Sequence, residues 1–327
     1  LDRCKILWFN IDNLNHFIRN GKKIMTSDIL NEIINLKKEK NAVILAHYYA
    51  PDEIQSVADY VGDSFYLARL AENIPEDLIV FCGVGFMAES VKIINPEKTV
   101  LVPDVSADCA MAHMASVEKI KKLRKEYDDL AVVCYINSTA DLKCHSDICV
   151  TSSNAVKIVK NLPNKNIFFI PDKNLGTYVA EQVPEKNIIL NDGYCPIHAA
   201  LTVDALKKTI EEHPNAKVLT HPECEKEILE LSDYIGSTAD ILKYASESEH
   251  GEFIICTEDG VGYPLKKNNP DKKFYFAGEQ FKCMDMKLNT PEKLLHVLKT
   301  GENEIKVTKA KREKALLPLK RMLESAK

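Results

Sequence analysis

AVILAHYYAPDE (residues 42–53), AVVCYINSTADL (131–142) and AKVLTHPECEKE (216–227) share one pattern: a run of strand-forming residues that breaks into a polar turn. Apolar residues in an unbroken run, rather than alternating, are the mark of a parallel strand covered on both faces. Aligned on His47, Tyr135 and His221, the three stretches keep matching further along the chain. Two residues on stand Tyr49, Asn137 and Glu223, and seventeen on stand Ser64, Ser152 and Thr238, in VGDSFYLARL, VTSSNAVKIV and IGSTADILKY. Each of these hydroxyls precedes an apolar-periodic helix, where a cap belongs. Thirty-four residues on, Phe81, Phe169 and Ile255 lie inside a second strand-like run (LIVFC, IFFIP, FIICT).

A third run follows in each repeat, TVLVPDVSADC, NIILNDGYC and KFYFAGEQFKC, and each ends in a cysteine: Cys109, Cys195 and Cys283. Seven residues beyond each cysteine, Ser116, Thr202 and Thr290 open helices with an acid in the first turn, as the helix dipole favours. Offsets matched in triplicate identify an internal repeat of strand, helix, strand, helix, strand, helix. With right-handed crossovers that unit is an α/β domain. The expected fold is therefore α/β: three pseudo-threefold-related three-layer αβα domains with parallel sheets around a central active site. Residues 26–112, 113–198 and 199–299 form the three domains. Residues 300–327 end in a helix, with Ala315, Leu316, Leu319 and Leu323 on its apolar side, that packs back on the first domain. Residues 1–25, with the sole Trp, Trp8, and Cys4, read as an N-terminal extension to which no function is assigned.

Composition narrows the functional classes. The chain has 327 residues, 45% apolar and 28% charged, with a net charge of −5. That balance argues against a nucleic-acid surface. No apolar run has the length of a membrane span. The opening residues lack a small-residue cleavage site, so no signal peptide is expected, and the ten cysteines of a cytoplasmic chain read as metal ligands or core thiols rather than disulfides.

Functional groups in such sheets gather at the carboxyl ends of the strands, where the anchor residues and the three cysteines lie. Cys109, Cys195 and Cys283 cannot close a four-ligand zinc site without a further residue. An open zinc, a [4Fe–4S] cluster with one free iron, or three core thiols kept by repeat ancestry all fit the spacing. Ser64, Ser152 and Thr238 beside free helix N–H groups suit a carboxylate or phosphate. His47 and His221 can donate to anions or move protons, and Tyr49, Tyr135 and Glu223 add candidate acids and bases. Cys82, Cys134 and Cys256 read as core thiols and Cys224 as incidental. Cys144 and Cys149, with His145, form a weak candidate pair. His198, in CPIH, is close enough to Cys195 to support it.

Taken together, AHYYAPDEIQSVADYVGDS, CGVGFMAES, YINSTAD, VTSSNAV, PDKNLG, GYCPIH, THPE, GSTADI and CMDMKLNT resemble the quinolinate synthase family of de novo NAD biosynthesis, over about residues 28–325. The resemblance implies an oxygen-sensitive [4Fe–4S] cluster, one per subunit, on Cys109, Cys195 and Cys283. It implies condensation of iminosuccinate with dihydroxyacetone phosphate to quinolinate, phosphate and water, with the open iron as Lewis acid in dehydration. Substrate binding then falls to His47, Ser64, Tyr135, Ile136, Asn137, Ser152, His221, Pro222, Glu223 and Thr238, and catalysis to Glu223, Tyr49 and His221. An aspartate oxidase or dehydrogenase would supply the imine. The chain departs from some bacterial members in lacking a CxxC beside the third ligand. Two other readings are a diphthamide-type three-domain iron–sulfur transferase using S-adenosylmethionine, and a non-enzymatic iron–sulfur sensor. The Ser64/Ser152/Thr238 set and THPE favour the small-molecule synthase.

Overall fold

The computed structural model describes residues 27–278 and 281–325; the extension over residues 1–25 lies outside them. The fold is α/β, with three four-stranded sheets in which every strand is parallel to its neighbours. β1 (Ala42–His47), β2 (Tyr60–Gly62), β3 (Leu78–Cys82) and β4 (Thr99–Leu101) make the first. β5 (Ala131–Tyr135), β6 (Ile148–Val150), β7 (Asn166–Ile170) and β8 (Asn187–Leu190) make the second, and β9 (Lys217–Thr220), β10 (Tyr234–Ile235), β11 (Glu252–Cys256) and β12 (Lys273–Phe276) the third. The spatial order is the same in each: β2-β1-β3-β4, β6-β5-β7-β8 and β10-β9-β11-β12.

The repeat pattern predicts three strands per unit, and the structure has a fourth. β2, β6 and β10 are two or three residues long, too short to leave a periodic signal. They are held by an aspartate twelve residues after each anchor. Asp59, Asp147 and Asp233 each accept the backbone N–H of Ile44, Val132 and Val218 at 2.7–2.8 Å. Their own N–H groups bond back to the carbonyls of those same residues. Lys37, Arg124 and Lys217 neutralise the three carboxylates. A second triplicate is basic: Lys98, Lys186 and Lys272 donate to carbonyls just beyond helix C-termini, at Ile74, Leu162 and Ser248 among others, where a cation suits the dipole.

Both faces of β1 are buried, which is why its sequence does not alternate. Val43 and Leu45 pack with Leu67, Phe81 and Val91, whereas Ala42, Ile44 and Ala46 pack with Ile33, Leu294 and Leu298. The last two belong to the helix Pro291–Thr300. Its counterparts Val117–Glu126 and Val203–Glu212 open the second and third units. With no fourth sheet to cover, this helix buries its apolar face on the first and closes the circle. Ser116, Thr202 and Thr290 cap the three helices as the sequence predicts, each accepting the N–H three residues on.

The tail shares itself between two units. Ile305 N–H bonds Val100 O at 2.8 Å, and Glu304 bridges Leu101 in antiparallel fashion, so the exposed edge at β4 is covered. The closing helix Lys309–Ser325 then lies against β6 and the helix Ala140–Lys143 of the second unit, and touches the first through Gly85–Ile94. The sequence places this helix on the first unit. The short edge strand β6 leaves apolar surface that Ala315, Leu319, Met322 and Leu323 bury in a core continuous between the first and second sheets.

Candidate active site

The three cysteine loops are built alike. Cys109, Cys195 and Cys283 each precede a four-residue helix, Ala110–His113, Pro196–Ala199 and Met284–Lys287. All three are extended at the cap position, with φ of −122°, −80° and −79° and no side-chain cap. The sulfurs therefore sit beside first-turn N–H groups that no side chain has claimed. All three cysteines line one cavity with about 940 Å³ of empty space, counting its open mouth. Burial pushes the thiols up, Cys109 to about 12, Cys283 to about 11 and Cys195 well above the ordinary range. A charge on Cys283 raises Cys109, and one on Cys109 raises Cys195, which places the sulfurs within electrostatic reach of each other. Three half-buried thiols lining one cavity are readily held as thiolates beside a positive centre, and first-turn N–H groups then complement the charge. The donor set fits a metal group. Cys195 Sγ also lies within 4.8 Å of a His198 ring nitrogen and a Glu223 carboxylate oxygen, a grouping that can hold a metal ion.

The same cavity collects His47, Tyr49, Ser64, Tyr135, Asn137, Ser152, His221, Glu223 and Thr238. Ile136 and Pro222 are not among its lining residues; they are the middle members of the anchor triplets and are buried, Ile136 at 1% exposure in the core. The first and third units orient their histidines by one device. Tyr49 N–H donates to His47 Nδ1 at 3.1 Å, and Glu223 N–H donates to His221 Nδ1 at 3.3 Å. With Nδ1 accepting, the neutral ring carries its hydrogen on Nε2. Burial holds both histidines down to about 3, against an opposing pull from Glu223. His221 Nε2 lies 3.2 Å from Ser152 Oγ. Both rings can thus donate to an anion without bringing a charge of their own.

Capping turns out differently from the sequence expectation, and the difference frees the hydroxyls. The helix Ser64–Ala71 is capped by Asp63, which accepts Tyr66 N–H, and Thr238–Glu247 by Ser237 in a capping box with Asp240. Asn154 occupies the cap of Ala155–Asn161. Ser64 and Thr238 are first residues of their helices, and Ser152 lies in the preceding turn. In the first and third units a neighbour does the capping, and all three hydroxyl residues line the cavity. Asn137 Oδ1 is buried there without a partner, an acceptor that a ligand donor can satisfy.

At the centre is Glu223, 3% exposed. It accepts from Tyr135 OH at 2.5 Å and pairs with His198 Nδ1 at 2.9 Å. Burial opposes its ionisation, but the adjacent imidazoles and these two hydrogen bonds hold the carboxyl below the usual range. His198, which the sequence ties only to Cys195, reaches Cys195 Sγ at 3.2 Å and thus joins the carboxylate to the sulfur. Tyr49 OH contacts two threonines, Thr238 at 2.8 Å and Thr257 at 2.9 Å. Burial, followed by the Glu223 charge, pushes its phenol well up, so it is a proton donor rather than a phenolate.

Three residues escape the sequence reading. Thr257 Oγ1 also contacts His198 Nε2, at 2.9 Å. Glu258 accepts Cys283 N–H at 3.0 Å. Lys287 pairs with Glu258 at 2.9 Å and donates to Tyr49 O at 2.9 Å, tying the Cys283 loop to the first unit. The only signal for Thr257 and Glu258 is their place just after β11, at a strand's carboxyl end. Cys149 sits opposite Cys134 across β5 and β6, whereas Cys144 donates to Lys311 O at 3.2 Å. The candidate pair is therefore not brought together. Cys82, Cys134, Cys224 and Cys256 are buried.

Among the described residues no helix is long and apolar enough to cross a membrane. The family model described as quinolinate synthetase A protein matches residues 31–324. The chain is 53% identical over 298 residues to a quinolinate synthase of Clostridioides difficile, covering 91% of this chain and 98% of that one. It is 52% identical over 296 residues to one of Fusobacterium nucleatum (90% and 99%) and 51% identical over 294 to one of Caldicellulosiruptor bescii (90% and 97%).

Proposed function

We propose, for a chain that belongs to the quinolinate synthase family, that the cavity condenses iminosuccinate with dihydroxyacetone phosphate to give quinolinate, phosphate and two waters. The chain is an enzyme of NAD biosynthesis, and we place it in the cytoplasm. Its imine would come from an aspartate oxidase or dehydrogenase. Cys109, Cys195 and Cys283 would hold a [4Fe–4S] cluster through three irons, and the fourth iron would supply Lewis acidity toward a substrate oxygen in dehydration.

The protein's own groups divide the remaining work. Ser64, Ser152 and Thr238, with the N–H groups at their helix starts, hold the carboxylates and the phosphate. His47 and His221 donate through Nε2, and Asn137 offers its unpartnered oxygen to the imine nitrogen. Glu223, held ionised, takes a proton from carbon as the enamine forms and through the isomerisation; Tyr135 and His198 stabilise the charge between transfers. Tyr49, held protonated, donates to a departing oxygen. The two acid–base groups sit on different units, so a substrate held between them meets donor and acceptor from opposite sides.

The observation that carries this reading is the meeting of three cysteines, 86 and 88 residues apart in the chain, in a cavity that also holds Glu223 and the three hydroxyls. Anaerobic purification with iron and sulfide counting, followed by addition of both substrates, tests it. Quinolinate should form and the count should approach four irons per chain, as a [4Fe–4S] cluster requires. Cys109→Ala should lose both iron–sulfur absorbance and turnover; a variant keeping both would refute the assignment.

A further inference from the structure

We propose that Thr257 is a positioning residue of this reaction, its hydroxyl tying Tyr49 on one side of the cavity to His198 and Glu223 on the other. The proposal rests on the functional reading above and deepens it. Thr257 is fully buried, at 0% exposure, and is not among the residues lining the cavity. It acts only through its neighbours.

Those neighbours form one unbroken chain. Thr238 Oγ1 lies 2.8 Å from Tyr49 OH, which lies 2.9 Å from Thr257 Oγ1. Thr257 lies 2.9 Å from His198 Nε2, whose other nitrogen is 2.9 Å from Glu223, and Glu223 is 2.5 Å from Tyr135 OH. Every contact is within good hydrogen-bonding distance, and the chain crosses all three units. A hydroxyl is the smallest group that can hold its middle. With hydrogen on His198 Nδ1 and none on Nε2, Thr257 must donate to Nε2, so Tyr49 must donate to Thr257 and accept from Thr238. With the hydrogen on Nε2 the order from His198 to Tyr49 reverses, the same oxygen serves, and the Tyr49 hydrogen is left free for a departing oxygen. A side chain with only a methyl there can do neither.

The repeat shows that this hydroxyl is no requirement of the fold. The residues following β3, β7 and β11 are Gly83, Pro171 and Thr257. The first two units close the same strand end without any side-chain donor. Only the third, whose strand end faces Tyr49 and His198, carries one. Without it Tyr49 retains a single partner and the His198 ring loses the contact that aims its far side at Glu223.

The test compares Thr257→Val, which keeps the shape and removes the hydroxyl, with Thr257→Ser, which keeps the hydroxyl. Wild-type protein is assayed first: absence of quinolinate there refutes the functional reading and this proposal with it. Given wild-type turnover, Thr257→Val should lower kcat about 10- to 100-fold, the scale of a misaligned catalytic group, with KM for both substrates within about threefold. Thr257→Ser should stay within about threefold of wild type in both constants. Iron, sulfide and thermal midpoint should match wild type in both variants. In a Tyr49→Phe background, Thr257→Val should cost under about threefold more, because the pair acts as a unit. The proposal is overturned by a Thr257→Val protein that turns over normally, by a Thr257→Ser protein as impaired as the valine variant, or by effects that multiply in the double variant. If valine yields an unfolded or iron-poor protein, Thr257→Ala is judged by the same criteria.

Discussion

The strand ends of the first and third units hold the same histidine in the same way and attach opposite chemistry to it. In each, a ring Nδ1 accepts the N–H of the residue two positions on. That residue is Tyr49 in one and Glu223 in the other. Tyr49 meets only hydroxyls, at Thr238 and Thr257, and stays protonated. Glu223 meets the donors Tyr135 and His198 and stays ionised. One backbone turn therefore yields an acid or a base according to what the other units bring against it. Repetition supplied the frame, and the contacts between repeats supplied the difference.

If that contrast is correct, removing the base should cost most. Glu223→Gln should lower kcat by about 10³–10⁴, the upper part of the range for losing a general base, while Tyr49→Phe should cost about 10²-fold, the lower end of that range for losing a general acid. Anaerobic quinolinate assays on the two variants, with iron counted in each, check the ranking. Equal losses would mean that the two strand ends are not chemically distinct.

What the two units share should appear as acid sensitivity. His47 and His221 are held down to about 3 by burial, whereas an unfolded histidine titrates near 6.5 (roughly). As pH falls through that window the unfolded chain binds protons that the folded chain refuses, so stability is lost toward acid. It is intact above the unfolded value. Each ring contributes about 1.4 kcal/mol of loss per pH unit. Thermal midpoints measured at about pH 7 and about pH 5.5 should fall less steeply in His221→Asn than in wild type; an unchanged slope would show that the ring is already charged in the fold.

The smallest effect probes the frame alone. Ser116→Ala and Thr202→Ala each remove one helix cap, and each should cost about 1 kcal/mol with turnover unchanged. A tenfold loss of kcat from either would mean that these helices, remote from the cavity wall, act on the chemistry.

Much of this is legible in the sequence. The anchors, the strand runs, the caps at Ser116, Thr202 and Thr290, and the spacing of the cysteines recur in register, and recurrence is visible in one dimension. The aspartates Asp59, Asp147 and Asp233 recur too, but a single polar residue just before an edge strand of two or three residues makes no periodic pattern. The division of labour between Asp63 and Ser64, or Ser237 and Thr238, was hidden for another reason. Adjacent residues can both cap in principle, and only the backbone angles decide which one does.

Chain order alone specified three like α/β units, their strand ends, and the identities of the groups placed there, because burial and backbone periodicity act over a few residues at a time. Tertiary packing decided which groups meet: Glu223 with His198 and Tyr135, Thr257 with Tyr49, the helix Pro291–Thr300 with the first sheet. Hydrogen bonds and charge interactions fall off within a few ångströms, and no spacing along the chain encodes the distance between residues held on different sheets.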